Sequence, residues 1–170
     1  MILASYDGSA DAQAAIDHAA RLMPGAETTV LTVWEPFQAA MSRTGGMGMG
    51  MGASYPDNGE IDAANEEAAR ARASEGADRA TAAGLVAEPR IAVRQDGIAG
   101  AILAVADELG ADAIVLGTRG LTGIRSMLLG SVSHTVLQHA DRSVIVVPSP
   151  AIVDERREWI HRRDAANSPS

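Results

Sequence analysis

Short apolar runs alternate along the chain with stretches whose apolar residues recur at helical spacing. The runs occupy residues 2–6, 28–34, 113–116 and 144–147, and their length and composition are typical of strands. The stretch after the first run places apolar residues at i, i+3, i+4 and i+7, namely Ala12, Ala15, Ile16, Ala19, Ala20 and Met23. The chain therefore begins with a strand that leads directly into an amphipathic helix.

Three further helices are predicted downstream. Residues 58–84 form a long alanine-rich stretch, and residues 131–140 form a shorter amphipathic one. Between them, Asp96 is placed to cap a helix that ends before Gly110, a residue type favoured just past a helix C-terminus. The apolar stripe of this third helix consists of Ile98, Ala101, Ile102, Val105, Ala106 and Leu109.

The strands and helices alternate, which defines the predicted fold class. Residues 86–93 form a fifth strand-like run, and Pro89 within it indicates a position at a sheet edge, because proline cannot donate to a strand ladder. The runs at 113–116 and 144–147 are apolar on both faces, as in strands covered by helices on both sides. Right-handed crossovers then give an α/β fold with a doubly wound, five-stranded parallel sheet.

Two segments lie outside this alternation. Residues 35–57 form an insertion that contains a Met/Gly-rich run at 45–52, and we expect it to be mobile because ordering so many glycines costs conformational entropy. Residues 149–170 form a polar, arginine-rich tail that we expect to be solvated and disordered. The predicted domain therefore spans residues 1–148.

Charge and composition exclude several function classes. The chain of 170 residues carries 22 acidic against 14 basic residues, a formal net charge of −8, which disfavours nucleic acid and anionic lipid as partners. It has no lysine, so Schiff-base chemistry and a Walker A loop are excluded, and it has no cysteine for disulfides or thiolate metal sites. No apolar run approaches the length of a membrane span, and the first residues do not resemble a signal peptide. We expect a cytoplasmic protein.

The strongest chemical signal joins the fourth strand to the fourth helix, where Gly117, Gly120, Gly130 and Ser131 have the spacing G-x2-G-x9-G-S. The first amides of a helix have no acceptor within it, and the helix dipole adds positive charge, so an anion can bind there. Gly130 would let oxygens approach, the Ser131 hydroxyl would add a donor, and Gly117 and Gly120 would let the chain turn sharply. Alternatively, the glycines only connect strand to helix and Ser131 is an ordinary N-cap.

Charged residues near this loop suggest further contacts. Asp7, at the end of the first strand, is suited to accept hydrogen bonds from ribose hydroxyls, or alternatively to shape an Asx turn at Asp7-Gly8-Ser9. Arg119 and Arg125 are candidate phosphate donors, although loop arginines are commonly exposed to solvent.

No catalytic or metal-ligating residue is assigned. His134 lies close to Ser131, but it has no paired acid, and a helix-surface role is favoured. Residues 48–53 match a dinucleotide-binding pattern without the helix that should follow it.

The chain resembles the ATP-binding type of the universal stress protein family over residues 1–148. Four segments carry the resemblance: Asp7-Gly8-Ser9, Leu31-Thr32-Val33, the G-x2-G-x9-G-S array, and Val144-Ile145-Val146-Val147-Pro148. The resemblance implies strand order 3-2-1-4-5, adenine near the main chain of Val33, and ribose on Asp7 and Gly117. It implies phosphates over Gly120, Gly130, Ser131 and the neighbouring amides of Val132 and Ser133.

The same resemblance implies a nucleotide-binding or nucleotide-sensing module of the stress response that binds ATP. We expect Mg²⁺ on the phosphates, because a bare triphosphate carries excess charge. It also implies a homodimer formed through the fifth strands, Val144 to Val147. Two alternatives stay open at this point. One is a weak ATPase or phosphotransfer enzyme, and the other is a cyclic AMP binder that uses the same crevice.

Overall fold

A computed structural model describes residues 1–43, 58–120 and 129–167 of the chain. The strands are β1 (Ile2–Ser5), β2 (Glu27–Trp34), β3 (Val86–Val93), β4 (Ala113–Gly117) and β5 (Ser143–Val147). The helices are α1 (Ala10–Leu22), α2 (Phe37–Arg43), α3 (Asn58–Ala82), α4 (Gly97–Leu109), α5 (Ser131–His139) and α6 (Pro150–Asn167). Within the described ranges, no helix combines the length and the apolar character needed to cross a membrane.

The strands form one parallel sheet in the order β3-β2-β1-β4-β5, which confirms the predicted fold class. In the register of this sheet, Leu3 lies opposite Thr29 of β2 and Ile114 of β4. Pro89 lies in β3 at one edge, as its missing N–H predicted. The strand order reverses between β1 and β4, so a crevice opens at the carboxyl ends of these two strands.

Each face of the sheet packs against its own helix layer. Ile2 and Ala4 of β1 belong to the core cluster that includes α1 and α3. Leu3, pointing the other way, belongs to the cluster formed with α4 and α5. Because successive side chains of a strand point to opposite faces, a strand segment buried on both sides is apolar at every position, as residues 2–4 of β1 and all of β4 are.

The predicted end of α4 agrees with the structure, whereas its predicted start does not. Ser9 caps α1 by accepting the Ala12 amide hydrogen at 3.2 Å, and Gly110 ends α4 with φ 59°. Asp96 occupies the N-cap position of α4, but its side chain makes no capping hydrogen bond, so the predicted cap is wrong. The reason is its left-handed backbone, with φ 50°, whereas capping side chains project from an extended backbone.

The start of the predicted insertion is helical. Helix α2 is held by the Phe37 amide, which donates to Asp62 of α3 at 2.6 Å, and by an ion pair between Arg43 and Glu35 at 2.7 Å. These contacts explain why residues 37–43 form a helix, whereas the sequence analysis included them in a mobile insertion. The remainder of the insertion, with its Met/Gly run, lies outside the described residues.

The tail is also helical, where the sequence favoured a disordered end. Pro150 starts α6, a position at which its fixed φ and missing N–H suit a helix. The Ser149 carbonyl accepts the amide hydrogens of Ile152 and Val153 at 3.0 and 3.1 Å, and Ile152 is buried. A buried first turn therefore starts a helix that the polar composition alone did not indicate.

Gly76 of α3 faces the sheet where a side chain has no room. A Cβ at this position would lie 2.7 Å from the Tyr6 ring and 2.8 Å from Val30 Cγ1.

Replacing Gly with Ala in a helix interior normally stabilises a protein by about 1 kcal/mol. For Gly76→Ala we expect the opposite, a decrease of about 1–3 kcal/mol in the free energy of unfolding measured in urea, because of overpacking. Ser74→Ala, at an exposed position of the same helix, is the control and should change stability little; a Gly76→Ala variant as stable as the wild type would contradict this packing.

Candidate functional site

A cleft of about 460 Å³ lies at the carboxyl edge of the sheet, where β1 and β4 diverge. Apart from Arg125, which lies outside the described residues, its walls include every residue predicted from the sequence for a ligand site, and the fold brings these together from four separate segments. These residues are Asp7, Val33, Gly117, Arg119, Gly120, Gly130, Ser131, Val132 and Ser133. The cleft is also lined by residues that the sequence analysis did not assign to a ligand site, among them Tyr6, Thr32, Arg72 and Ile98.

The N-terminus of α5 presents amide hydrogens to this cleft. Gly130 is the N-cap residue, with extended backbone at φ −71° and ψ 158°, so the alternative in which Ser131 is the N-cap is wrong. The first bond of the helical type runs from the His134 amide to the Gly130 carbonyl at 2.9 Å. The amides of Ser131, Val132 and Ser133 precede it, and no described residue accepts their hydrogens. An anion is the natural acceptor for such a group of amides.

The two serines at this helix start differ in role. Ser131 is exposed, so its hydroxyl can reach a ligand. Ser133 is buried, and its hydroxyl donates to the Gly117 carbonyl at 2.7 Å. The side chain of Ser133 therefore ties α5 to the end of β4, and only its amide hydrogen remains for the cleft.

The three glycines of the array allow close approach of chain segments. None of them has a φ in the left-handed region, so the sharp turn expected at Gly117 and Gly120 does not explain them. A Cβ on Gly117 would lie 2.6 Å from the Cβ of Asp11, and one on Gly130 would lie 3.1 Å from the Thr118 carbonyl oxygen. The space that Gly130 leaves open thus faces its own chain and lets α5 start against β4.

Asp7 combines both interpretations of its sequence position. Its Oδ1 accepts the Ser9 amide hydrogen at 3.0 Å, which is the Asx turn. Its Oδ2 lies beside Gly120, where a Cβ would come within 2.6 Å of it. One carboxylate oxygen therefore shapes the turn into α1, while the other lies at the wall of the cleft.

Asp11 is a positioning residue that the sequence analysis missed. It is buried in the first turn of α1, and its carboxylate accepts hydrogen bonds from the Thr118 hydroxyl and, at 3.1 Å, from the Arg119 amide. This pairing fastens the loop after β4 to the start of α1. An acidic residue in the first turn of a helix can be recognised in the sequence. Its hydrogen-bond partner could not be, because Arg119 lies 108 positions further along the chain.

Arg119 is drawn into the protein at the cleft wall. Only 12% of its side chain is exposed, and its Nη2 lies 3.9 Å from Glu155 of α6, so the solvent-exposed alternative is wrong. The other predicted phosphate donor, Arg125, lies outside the described residues. Arg119 lines the cleft, as do the residues at the start of α5.

The sheet order, the two helix layers and a cleft at the switch point define a doubly wound α/β protein. The model of the universal stress protein family matches residues 1–148, and the chain belongs to that family.

Individual relatives share less of the chain. Universal stress protein YxiE of Bacillus subtilis (strain 168) is 48% identical over 46 residues, which cover 27% of this chain and 31% of the relative. The aligned segment therefore spans less than a third of that relative's length.

Two solved structures extend the likeness over the whole fold. The hypothetical protein MJ0577 superposes with a TM-score of 0.67 at 23% identity, over 86% of this chain and 94% of its own. A universal stress protein solved in complex with cAMP superposes with a TM-score of 0.58 at 28% identity, over 87% of this chain and 96% of its own.

Tyr6, the residue directly after β1, generates a pH-dependence of stability. Burial, together with a 2.7 Å hydrogen bond to Glu75, raises the pKa of the Tyr6 hydroxyl to about 12. An unfolded tyrosine ionises near pH 10, so the unfolded state loses this proton first. The contribution to stability is complete below about pH 10 and is lost between about pH 10 and 12.

We expect the free energy of unfolding in urea to fall across this window in the wild type and to fall less in Tyr6→Phe. The chain has no lysine to titrate over the same range, which makes the comparison clean. Parallel pH profiles for the two proteins would contradict the assignment.

Proposed function

We propose that the cleft binds an adenine nucleotide, ATP foremost, and that the protein is a nucleotide-binding or nucleotide-sensing module of the stress response. The observation that carries this proposal is the set of three amide hydrogens at the start of α5, facing the same cleft as Asp7. Such amides favour phosphate, and a carboxylate at the neighbouring strand end favours sugar hydroxyls. Membership of the family, and the cAMP complex of a relative 28% identical, support it.

We propose that each part of the nucleotide contacts a different wall of the cleft. Adenine lies by the main chain of Val33 at the end of β2, and ribose lies by Asp7 and Gly117. The phosphates lie against the α5 side, where the proposed contacts are Arg119, Gly120, Gly130, Ser131, Val132 and Ser133. Arg119 supplies a charge-assisted donor at this end.

Magnesium enters this proposal as part of the ligand. The described residues contain no group of three or more His, Asp or Glu side chains placed to hold a metal ion. We therefore propose that Mg²⁺ is bound through the phosphate oxygens of ATP, which it neutralises in part.

A cyclic nucleotide is the second candidate ligand, favoured by the cAMP-bound relative. It needs only one phosphate group at the α5 amides. Slow ATP hydrolysis, or phosphoryl transfer to Ser131, is a third possibility with less support, because Asp7 is the single carboxylate among the described lining residues and one of its oxygens holds the Ser9 amide. Phosphoryl transfer depends on positioned charge.

We also propose a cytoplasmic homodimer that pairs through β5. This strand is the last in the sheet order, and its residues Val144, Ile145 and Val146 are only partly buried. An apolar edge strand of this kind invites strand pairing unless it is covered.

Calorimetric titration with ATP, AMP, cAMP and GTP, followed by a time course for ADP release, tests the function. We expect binding of adenine nucleotides in preference to GTP, with ATP recovered intact. Steady ADP production that requires the folded cleft would favour the enzyme, and an absence of binding to any of the four would refute the nucleotide site.

Asp7→Asn tests the ribose contact without removing the turn. The asparagine keeps a side-chain oxygen for the Ser9 amide but loses the carboxylate, so adenosine and ATP should both bind about tenfold more weakly, the scale of one hydrogen bond to a charged group. Asp112→Asn removes the same charge at an exposed position before β4 and should leave both affinities unchanged. If only phosphorylated ligands lose affinity in Asp7→Asn, the assigned role is wrong.

A further inference from the structure

Arg72 of α3 enters the nucleotide cleft from the side opposite α5. It is partly buried, it lines the cleft together with Asp7, and its Nε lies 3.8 Å from the position a Cβ would take on Gly8. Helix α3 packs with α1 on one face of the sheet, whereas α5 packs with α4 on the other. The two helix layers therefore present a cation and a row of amides to the same space.

Arg72 differs from its neighbours in having no acidic partner. On the same helix, Arg70 pairs with Glu66, and Arg79 pairs with Asp17 at 2.6 Å. Across the described ranges, no hydrogen bond or ion pair joins Arg72 to another residue. In a chain with a formal charge of −8, acidic side chains are abundant. An arginine that faces a cleft and has no acidic partner is therefore placed to bind an anionic ligand.

The charges on the cleft wall agree with this placement. The described lining residues include two arginines, Arg72 and Arg119, and one carboxylate, Asp7. Arg119 has Glu155 within 3.9 Å, so its charge is partly balanced by the protein itself. The charge of Arg72 is balanced by no ion pair within the described part of the chain, and a concave wall concentrates its field.

We propose that the Arg72 guanidinium binds a phosphate group of the ligand from the α3 side, while the α5 amides bind phosphate from the opposite layer. This inference rests on the proposed function and narrows it to ligands that carry more than one phosphate. Guanidinium suits this task because its donors match two phosphate oxygens at once.

The second phosphate has two possible sources within one ligand. It is either the distal end of a triphosphate chain or a phosphate on the ribose. The second is possible because the proposed ribose contact, Asp7, is the neighbour of Gly8 in the chain. Both present the same chemistry to Arg72, and a comparison of ATP with adenosine 3′,5′-bisphosphate separates them. Adenosine and AMP supply the references with no phosphate and with one.

The experiment compares wild type, Arg72→Gln and Arg70→Gln by calorimetric titration with adenosine, AMP, ATP and adenosine 3′,5′-bisphosphate. Loss of a charged hydrogen-bonding partner should weaken ATP or the bisphosphate by about 10- to 100-fold in Arg72→Gln, with adenosine unchanged. Arg70→Gln removes an equal charge from the exposed side of the same helix and should bind all four ligands as the wild type does.

The pattern of losses decides the outcome. If Arg72→Gln loses affinity for ATP alone, Arg72 contacts the triphosphate chain. If it loses affinity for the bisphosphate alone, Arg72 contacts the phosphate on the ribose. Equal affinities of Arg72→Gln and wild type for all four ligands would overturn this proposal and leave the proposed function intact. An equal loss for adenosine and ATP would also overturn it, because Arg72 would then act on the shape of the cleft.

Two checks keep this result separate from folding and from the proposed function. Circular dichroism verifies that each variant is folded, and Arg72→Lys, which retains the charge without the bidentate geometry, should show an intermediate loss. If Arg72→Gln does not fold, Arg72→Lys takes its place in the experiment. An Arg72→Lys variant that binds ATP and the bisphosphate with the affinity and the salt dependence of the wild type would count against the proposal. A wild-type protein that binds none of the four ligands would refute the proposed function itself.

Discussion

The buried carboxylate of Asp11 determines the path of the chain after β4, and the cleft depends on that path. It accepts hydrogen bonds from Thr118 and Arg119, and the contact is possible because Gly117 has no side chain to separate β4 from α1. An acidic group in a first helical turn is also favoured by the helix dipole. One carboxylate thus joins the start of a helix to the exit of a strand more than one hundred residues later.

The start of α5 is fastened to the same segment. The Gly130 amide donates to the Thr118 carbonyl at 2.7 Å, and the Ser133 hydroxyl donates to the Gly117 carbonyl at 2.7 Å. These bonds satisfy the groups that face the protein and leave the next amides directed to the cleft. The helix end is therefore held in place before any ligand arrives, and binding there requires little further ordering of the backbone.

Much of the fold and of the candidate site could be read from local pattern. The apolar runs and the stripes at helical spacing predicted all five strands and the helices that cross between them, because burial on a sheet imposes those periodicities. The G-x2-G-x9-G-S array and Asp7 pointed to one crevice, since parallel strands end at the same edge. The prediction failed where contacts distant in sequence decided the outcome, as in α6, which buries Ile152 against the domain and places Glu155 3.9 Å from Arg119.

The sequence by itself determined the layered parallel sheet and the glycine array at its carboxyl edge, because periodicity and glycine spacing are local properties that survive without knowledge of the partners. The strand order and the contact at Val33 came from the family resemblance. Only the tertiary structure decided what each group does. It turned the Ser133 hydroxyl inward and buried Asp11 beneath the loop. It also brought Arg72 to the cleft from a helix with no recognisable motif. The physical reason is that a hydrogen bond or an ion pair depends on distances between segments far apart in the chain, which composition and spacing do not encode.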